Sequence, residues 1–566
     1  MKKFVLRLRQ IGKKIARFYH LNLFGVVGGG LGFASALLPS LVPRPALFMG
    51  LLAGIGFMVG YGLGVLVQKV CYWMLDRRIP RQYSHRSTMI VVWLLGLLMI
   101  VFGGLANIWQ DEIRELVGEV PRSGSGFLLM AVGFMITTTL LLTISRGIKR
   151  LFLISVRQTK KVKRLPKRAA AVIGSLIALV LLLLIVDGIF LSTVRQLANG
   201  YFRELNEKTD DGAVRPSSSL RSGSTDSLVD WQTLGRHGRS FVGQGPSAQE
   251  IADFTGSDAM EPIRIFVSPA QAENLQDRAD LAVKELERTG AFDREYLIVS
   301  TPTGSGWVEP AAAAAVEYLH DGNTAQVAMQ YSFLPSWMAL LAERQSATDS
   351  GRALFEAVSA KVRSLPQDNR PKLILNGLSL GAYGSQSAFT SDSDFALRVD
   401  GALYFGNPGF SQPWGYFTKN RDPGSLQINP VYRGGEVVRF ANNRQELMTI
   451  GDNWSGTRVL YTQYASDAIT WWSPDLIWRK PDWIKEPRGS DVSDNVRWFP
   501  VITFMQITFD QALGNHFTGG HGHNYAPDVV QSWSAVTPVN WSQNKLDQLQ
   551  DLMNYQYTTV NPGNQS

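Results

Sequence analysis

Ser379, Asp467 and His523 have the residue types and the chain order that ester cleavage by a serine requires. Gly377-Leu378-Ser379-Leu380-Gly381 fits G-x-S-x-G, in which the serine occupies a strained turn from strand to helix and the flanking glycines let those elements pack closely. A serine hydroxyl needs a base to take its proton, and the base needs an acid to orient it. Asp467, in Tyr464-Ala465-Ser466-Asp467-Ala468, follows an apolar run and is the candidate acid; it reads also as a helix N-cap. Asp475 and Asp400 are rivals, although Asp400 precedes its strand and so belongs to the wrong end of a sheet. Gly519-Gly520-His521-Gly522-His523-Asn524-Tyr525 supplies the base, His523, with His521 as its rival. An oxyanion hole needs two preorganised donors. Leu380, after the serine, offers one backbone N–H, and the loop Thr301-Pro302-Thr303-Gly304-Ser305-Gly306-Trp307 offers the other from Thr303 or Gly304.

Other chemistries find less support. One cysteine, Cys71, sits in an apolar run, which excludes disulfides and cysteine-based zinc sites and leaves no candidate thiol nucleophile. No third ligand accompanies His521 and His523, and HExxH is absent, so neither a metal nor another cofactor is expected. His237, His320 and His516 read as surface or core residues.

The elements that must position these residues form an alternating pattern from Pro262 onward. Ile263–Val267, Tyr296–Ser300, Ala325–Gln330, Leu373–Leu375, Gly401–Phe405 and Arg458–Tyr464 read as strands. Helices over Ala270–Thr289, Ala311–Leu319, Gly351–Ser364, Ala382–Phe389 and Asp528–Ala535 lie between or after them. This is an α/β class, with a mostly parallel sheet covered by helices on both faces. An aromatic belt, Trp471, Trp472, Trp478, Trp483, Trp498, Phe499, Phe504 and Phe509, lies between acid and base. It reads as core, as a cap over an acyl-lipid pocket, or as a surface at a bilayer interface.

The first third of the chain is different. Leu23–Leu41, Ala46–Trp73, Met89–Ile108, Phe127–Thr143 and Ala169–Leu191 have the length and apolarity of five membrane-spanning helices. Gly50, Gly54, Gly56, Gly60, Gly62 and Gly64 suit the second to close helix packing. No span carries an ionisable residue near its middle, which argues for an anchor rather than a transporter. The formal charge of +9 is concentrated here, and the remainder is net acidic with no basic cluster, so nucleic acid is not an expected partner. Met1–His20, the loop with Arg77, Arg78, Arg81 and Arg86, and the loop from Arg146 to Arg168 are strongly basic. The positive-inside bias then places the N-terminus in the cytoplasm and the large C-terminal domain outside the cell membrane. The expected layout is a basic segment over 1–20, the spans over 21–192, a linker and transition over 193–260 around a solvated Ser217–Ser224, a catalytic domain over 261–545 and a polar tail over 546–566.

Taken together, Thr301-Pro302-Thr303-Gly304-Ser305-Gly306-Trp307-Val308, Val327–Trp337, the Ser379 turn, Ser466-Asp467 ahead of Trp471-Trp472, and Gly520-His521-Gly522-His523 resemble the multi-span α/β-hydrolase family of Gram-positive bacteria, the family 9 type. The resemblance implies N-terminal spans fused to a hydrolase domain, a triad of Ser379, Asp467 and His523, and an activity like that of the aminoacyl-phosphatidylglycerol hydrolases. One departure is Ala468, where the family pattern has a proline after the acid. The expectation is a membrane-anchored serine esterase acting on a membrane lipid. An esterase or acyltransferase on a cell-wall acyl ester is the alternative, and a non-catalytic membrane scaffold is the alternative of another class.

Overall fold

The computed structural model describes residues 22–76, 85–122, 124, 126–162, 166–451, 454, 456–514, 517 and 519–558. The basic Met1–His20 segment, Arg77, Arg78, Arg81, Lys163, Arg164, His516 and the end of the polar tail lie outside the described residues.

Among the described residues, seven strands form one parallel sheet: β1 (Ile263–Val267), β2 (Tyr296–Thr301), β3 (Thr324–Met329), β4 (Lys372–Leu378), β5 (Gly401–Phe405), β6 (Val438–Ala441) and β7 (Arg458–Thr462). Their order is β1-β3-β2-β4-β5-β7-β6. Each reads as a continuous apolar run because helices cover both faces, and β1, β2, β3 and β5 are buried at every position. β6 was not anticipated. It is a four-residue edge strand with Arg439 in its middle, too short and too interrupted to give an apolar run. The register places the C-terminal ends of the central strands side by side, with Thr301 opposite Gly377, Leu378 opposite Phe405 and Phe405 opposite Thr462. The loops leaving β2, β4, β5 and β7 therefore converge at one end of the sheet, the end where such folds bind ligands.

Among the described residues, four N-terminal helices are long and apolar enough to cross a membrane: Ala46–Met74, Met89–Leu116, Phe127–Thr159 and Lys167–Val186. Among the same residues the expected fifth span is too short to cross. The first helix, α1 (Leu23–Ala36), has 14 residues, about 21 Å at 1.5 Å per residue against a hydrocarbon core of about 30 Å. Pro39, Pro43 and Pro45 end it, because proline has no N–H to donate and clashes with the preceding turn. The rest of the expected span instead runs under the hydrolase domain, where Leu41 and Val42 join its main core. The glycines of α2 (Ala46–Met74) do pack closely: a Cβ on Gly60 would lie 2.1 Å from Gly28 O, and one on Gly56 would lie 2.5 Å from Gly32 O. The helices α3 (His85–Leu116), α4 (Phe127–Thr159) and α5 (Lys167–Leu183) complete the bundle, and α5 continues through the wider turns of Leu184–Leu191 into α6 (Ser192–Glu207).

The stretch expected to be a solvated linker is packed instead. Ser222 N donates to Arg264 O at 3.0 Å and Arg264 N to Leu220 O at 3.3 Å, while Ser222 Oγ accepts from Phe266 N. These bonds satisfy the otherwise open edge of β1, which explains why so polar a sequence is ordered. Beyond it, α7 (Gly235–Gly243) packs Phe241 against Phe266 of β1.

Candidate active site

The β4 strand passes through Ser379 into α11 (Leu380–Ser385), the helices α8 (Leu275–Arg288), α9 (Pro310–Leu319) and α10 (Arg344–Ser364) having followed β1, β2 and β3. Ser379 has φ 57° and ψ −125°, a conformation that costs an L-residue of order 1–3 kcal/mol and persists only where its surroundings impose it. They do so here: Ser379 N donates to Phe405 O at 2.9 Å, and a Cβ on Gly381 would sit 2.2 Å from Thr301 O. Leu380, as the first residue of α11, has an N–H that no intrahelical carbonyl receives.

Asp467 and His523 are brought together from loops 56 residues apart, His523 Nδ1 lying 2.8 Å from Asp467 Oδ2. Asp467 is at once the helix cap and the histidine's partner. It caps α12 (Ala468–Trp471), with Oδ1 accepting from Ile469 N at 2.8 Å, while Oδ2 also accepts from Thr470 Oγ1 at 3.2 Å and Tyr525 OH at 2.8 Å. Ala468 leaves this cap in place, because the first helical position tolerates proline without needing it. Gly406, at φ 52°, lies so close to the His523 ring that a Cβ would meet Cε1 at 2.4 Å. His523 Nε2 is buried and has no hydrogen-bond partner, and Ser379 and His523 line the same cavity. A buried ring nitrogen with its other nitrogen held by a carboxylate is set up to accept a proton from a hydroxyl beside it.

The rivals are placed elsewhere. His521 Nδ1 is 3.5 Å from Asp491 Oδ2 and the ring is partly exposed; Ser466 Oγ bonds the same oxygen at 2.5 Å and accepts from Gly522 N, which steadies the loop. Asp475 is exposed, and Asp400 bonds Leu373 N at the opposite end of the sheet. Of the two residues expected to complete the oxyanion hole, Thr303 lines the cavity but donates its N–H to Trp307 O at 2.9 Å. Gly304 is packed against Leu334 O and Ala339, outside the cavity lining. The donor Thr303 can offer is its side-chain hydroxyl.

The cavity has a volume of about 250 Å3. One wall is the sheet end with Ser379, Leu380 and His523, and another comes from α6 through Phe202, Leu205 and Asn206, in the stretch expected to be only a transition. Gln511 and Ala512, at the end of α13 (Ile502–Gln511), add a third. That helix is tied to the bundle: Arg44 Nε meets Asp510 Oδ1 at 2.7 Å with both side chains buried, and Ser40 Oγ also donates to Asp510. Ser493 Oγ bonds Glu112 of α3 at 2.5 Å. The aromatic belt divides, with Trp471 and Trp483 in the core, Trp472 packed on Phe410 and Phe504, and Trp478 and Phe499 exposed.

Two titratable groups on the cavity wall, Glu309 and His237, lie outside the expected site residues. Burial raises the Glu309 carboxyl to about 7 and lowers His237 to about 4. Tyr525, whose hydroxyl donates to Asp467, likewise lies outside the expected site residues. No local pattern marks these three, since their places depend on tertiary packing. Among the described residues, no three His, Cys, Asp or Glu side chains converge to hold a metal ion.

A parallel sheet with a serine at the strand-to-helix turn and an aspartate–histidine pair at its C-terminal end defines an α/β-hydrolase fold. The chain belongs to the alpha/beta-hydrolase family of the family 9 type: residues 263–549 match that family, and residues 37–246 match the family's N-terminal region. No curated protein and no solved structure matches the chain.

Proposed function

We propose that the chain is a membrane-anchored serine esterase that hydrolyses an ester of a membrane lipid, with aminoacyl-phosphatidylglycerol as the substrate. The observation that carries this reading is the unpartnered His523 Nε2 in the cavity that Ser379 lines, with Asp467 on the opposite ring nitrogen. His523 deprotonates Ser379, whose Oγ attacks the ester carbonyl; Leu380 N–H and the Thr303 hydroxyl receive the oxyanion. His523 then protonates the departing glycerol oxygen, and water, activated by the same imidazole, releases the amino acid and restores Ser379. The product lipid regains its anionic charge. With α2 to α5 as the four crossings, the basic loops around Arg86 and Arg146–Arg168 lie on the cytoplasmic side. Arg44, ahead of α2, and the hydrolase domain then share the outer side, where the domain meets lipid of the outer leaflet, in place of the cytoplasmic start that five spans would give.

Lipid mass spectrometry of cells lacking the protein, complemented with wild type or Ser379→Ala, tests the assignment. Aminoacyl-phosphatidylglycerol accumulates in the deletion and falls only with wild type. An unchanged lipid profile, with Ser379 still labelled by a fluorophosphonate, would transfer the activity to a cell-wall acyl ester; absence of labelling would favour a scaffold.

A further inference from the structure

The cavity holds a carboxylate that ester hydrolysis does not use. Glu309 leaves the loop after β2 and caps α9; two residues before it, Trp307 O receives Thr303 N, so this carboxylate stands on the same loop as the proposed oxyanion donor. It is only 8 % exposed, and its one hydrogen bond, from Ala311 N to Oε1, is long at 3.3 Å. No cation pairs with it among the described residues. Arg236, on the same wall, is held by Asp210, and His237 is neutral at neutral pH because burial lowers it to about 4. In the adjoining cavity that Glu309 also lines, Arg264 is committed to Glu317 and Glu250 to Ser247. A carboxylate removed from water needs a cation or several donors, and this one has neither.

We propose that Glu309 binds the ammonium group of the acyl part of the substrate and thereby selects amino acid esters over uncharged acyl esters. The inference rests on the esterase reading of Ser379 and adds a specificity residue to it. The ammonium supplies the missing cation, Glu309 Oε2 accepts its proton in a charge-assisted hydrogen bond, and the ester carbonyl points to Ser379. A neutral acyl group leaves the carboxylate unpaired, a penalty that the enzyme reads as discrimination.

The test compares full-length protein in detergent micelles acting on alanyl-phosphatidylglycerol and on lactyl-phosphatidylglycerol, which has a hydroxyl in place of the ammonium. Wild type prefers the alanyl ester. Glu309→Gln lowers kcat/KM for it about 10- to 100-fold, mainly through KM, and brings the ratio of the two esters towards one. A lysyl ester run beside them tells the α-ammonium from a side-chain ammonium, according to which loses more. Equal losses on the alanyl and lactyl esters would overturn the proposal and leave Glu309 as a helix cap. The wild type gives a second reading that needs no variant: between about pH 7 and 5.5, where the substrate ammonium stays charged, the alanyl-to-lactyl ratio falls as Glu309 takes up a proton. A ratio independent of pH would also reject the role. Cleavage of neither ester by wild type defeats the substrate reading itself, while cleavage of both with a ratio of one defeats only Glu309.

Discussion

Two buried carboxylates, Glu309 in the cavity wall and Asp467 behind His523, are treated in opposite ways. Asp467 is fully buried and receives Ile469 N, Thr470 Oγ1, Tyr525 OH and His523 Nδ1. Glu309, nearly as buried, receives only Ala311 N. Four donors replace the water that Asp467 loses and hold its carboxylate at a fixed position against the His523 imidazole. Glu309 is left with an unsatisfied demand, which moves its carboxyl from 4.5 to about 7. Burial alone therefore does not say what an acid does; the number of donors pointed at it does.

The contrast is broken most severely at Asp467. Asp467→Asn should lower kcat on any accepted ester by about 10³- to 10⁴-fold, because an amide neither holds the required tautomer nor stabilises the imidazolium; a loss under tenfold would remove Asp467 from the triad. Glu309→Gln should show an effect of opposite sign on stability. The raised carboxyl contributes stability that is fully present below pH 4.5 and lost as pH rises through about 7. The variant should then be more stable than wild type by up to about 3 kcal/mol at pH 8 and no more stable at pH 4.5, as read by thermal unfolding at the two pH values. Tyr525→Phe removes one of the four donors and leaves the stacked ring in place against Tyr464; kcat should fall by about tenfold, worth about 1.4 kcal/mol, with KM little changed. Smallest is His521→Ala, which should alter kcat by less than about threefold, since that ring contacts Asp491 at 3.5 Å and not Asp467.

The triad candidates were legible because nucleophile chemistry leaves a local mark at Gly377–Gly381, and chain order then narrows the acid and base. The parallel sheet was legible from its apolar runs. Glu309 was not, since a glutamate ahead of Pro310 is an ordinary helix start and its isolation emerges only when Arg236 and Arg264 are seen to be engaged elsewhere. The engagement of the Thr303 amide was not legible, because its bond to Trp307 closes a tight loop that composition does not reveal. Hydropathy extended the first span to Leu41 by outweighing Pro39, whereas the backbone obeyed the proline. The serine-rich stretch from Ser217 reads as a solvated linker, and only the unpaired hydrogen-bonding edge of β1 explains its order.

The Arg44–Asp510 pair joins the two segments that match separate parts of the family, 37–246 and 263–549. Such a contact makes them poor candidates for recombination. A chimera that kept the hydrolase domain and took its helices from another anchor would leave Asp510 in an apolar setting with no cation, at a cost of about 3–5 kcal/mol. It would also strip Leu41 and Val42 from the core they fill. The apolar helices and the hydrolase domain are therefore expected to exchange well only as one unit, and a change at Arg44 to cost little only when Asp510 changes with it.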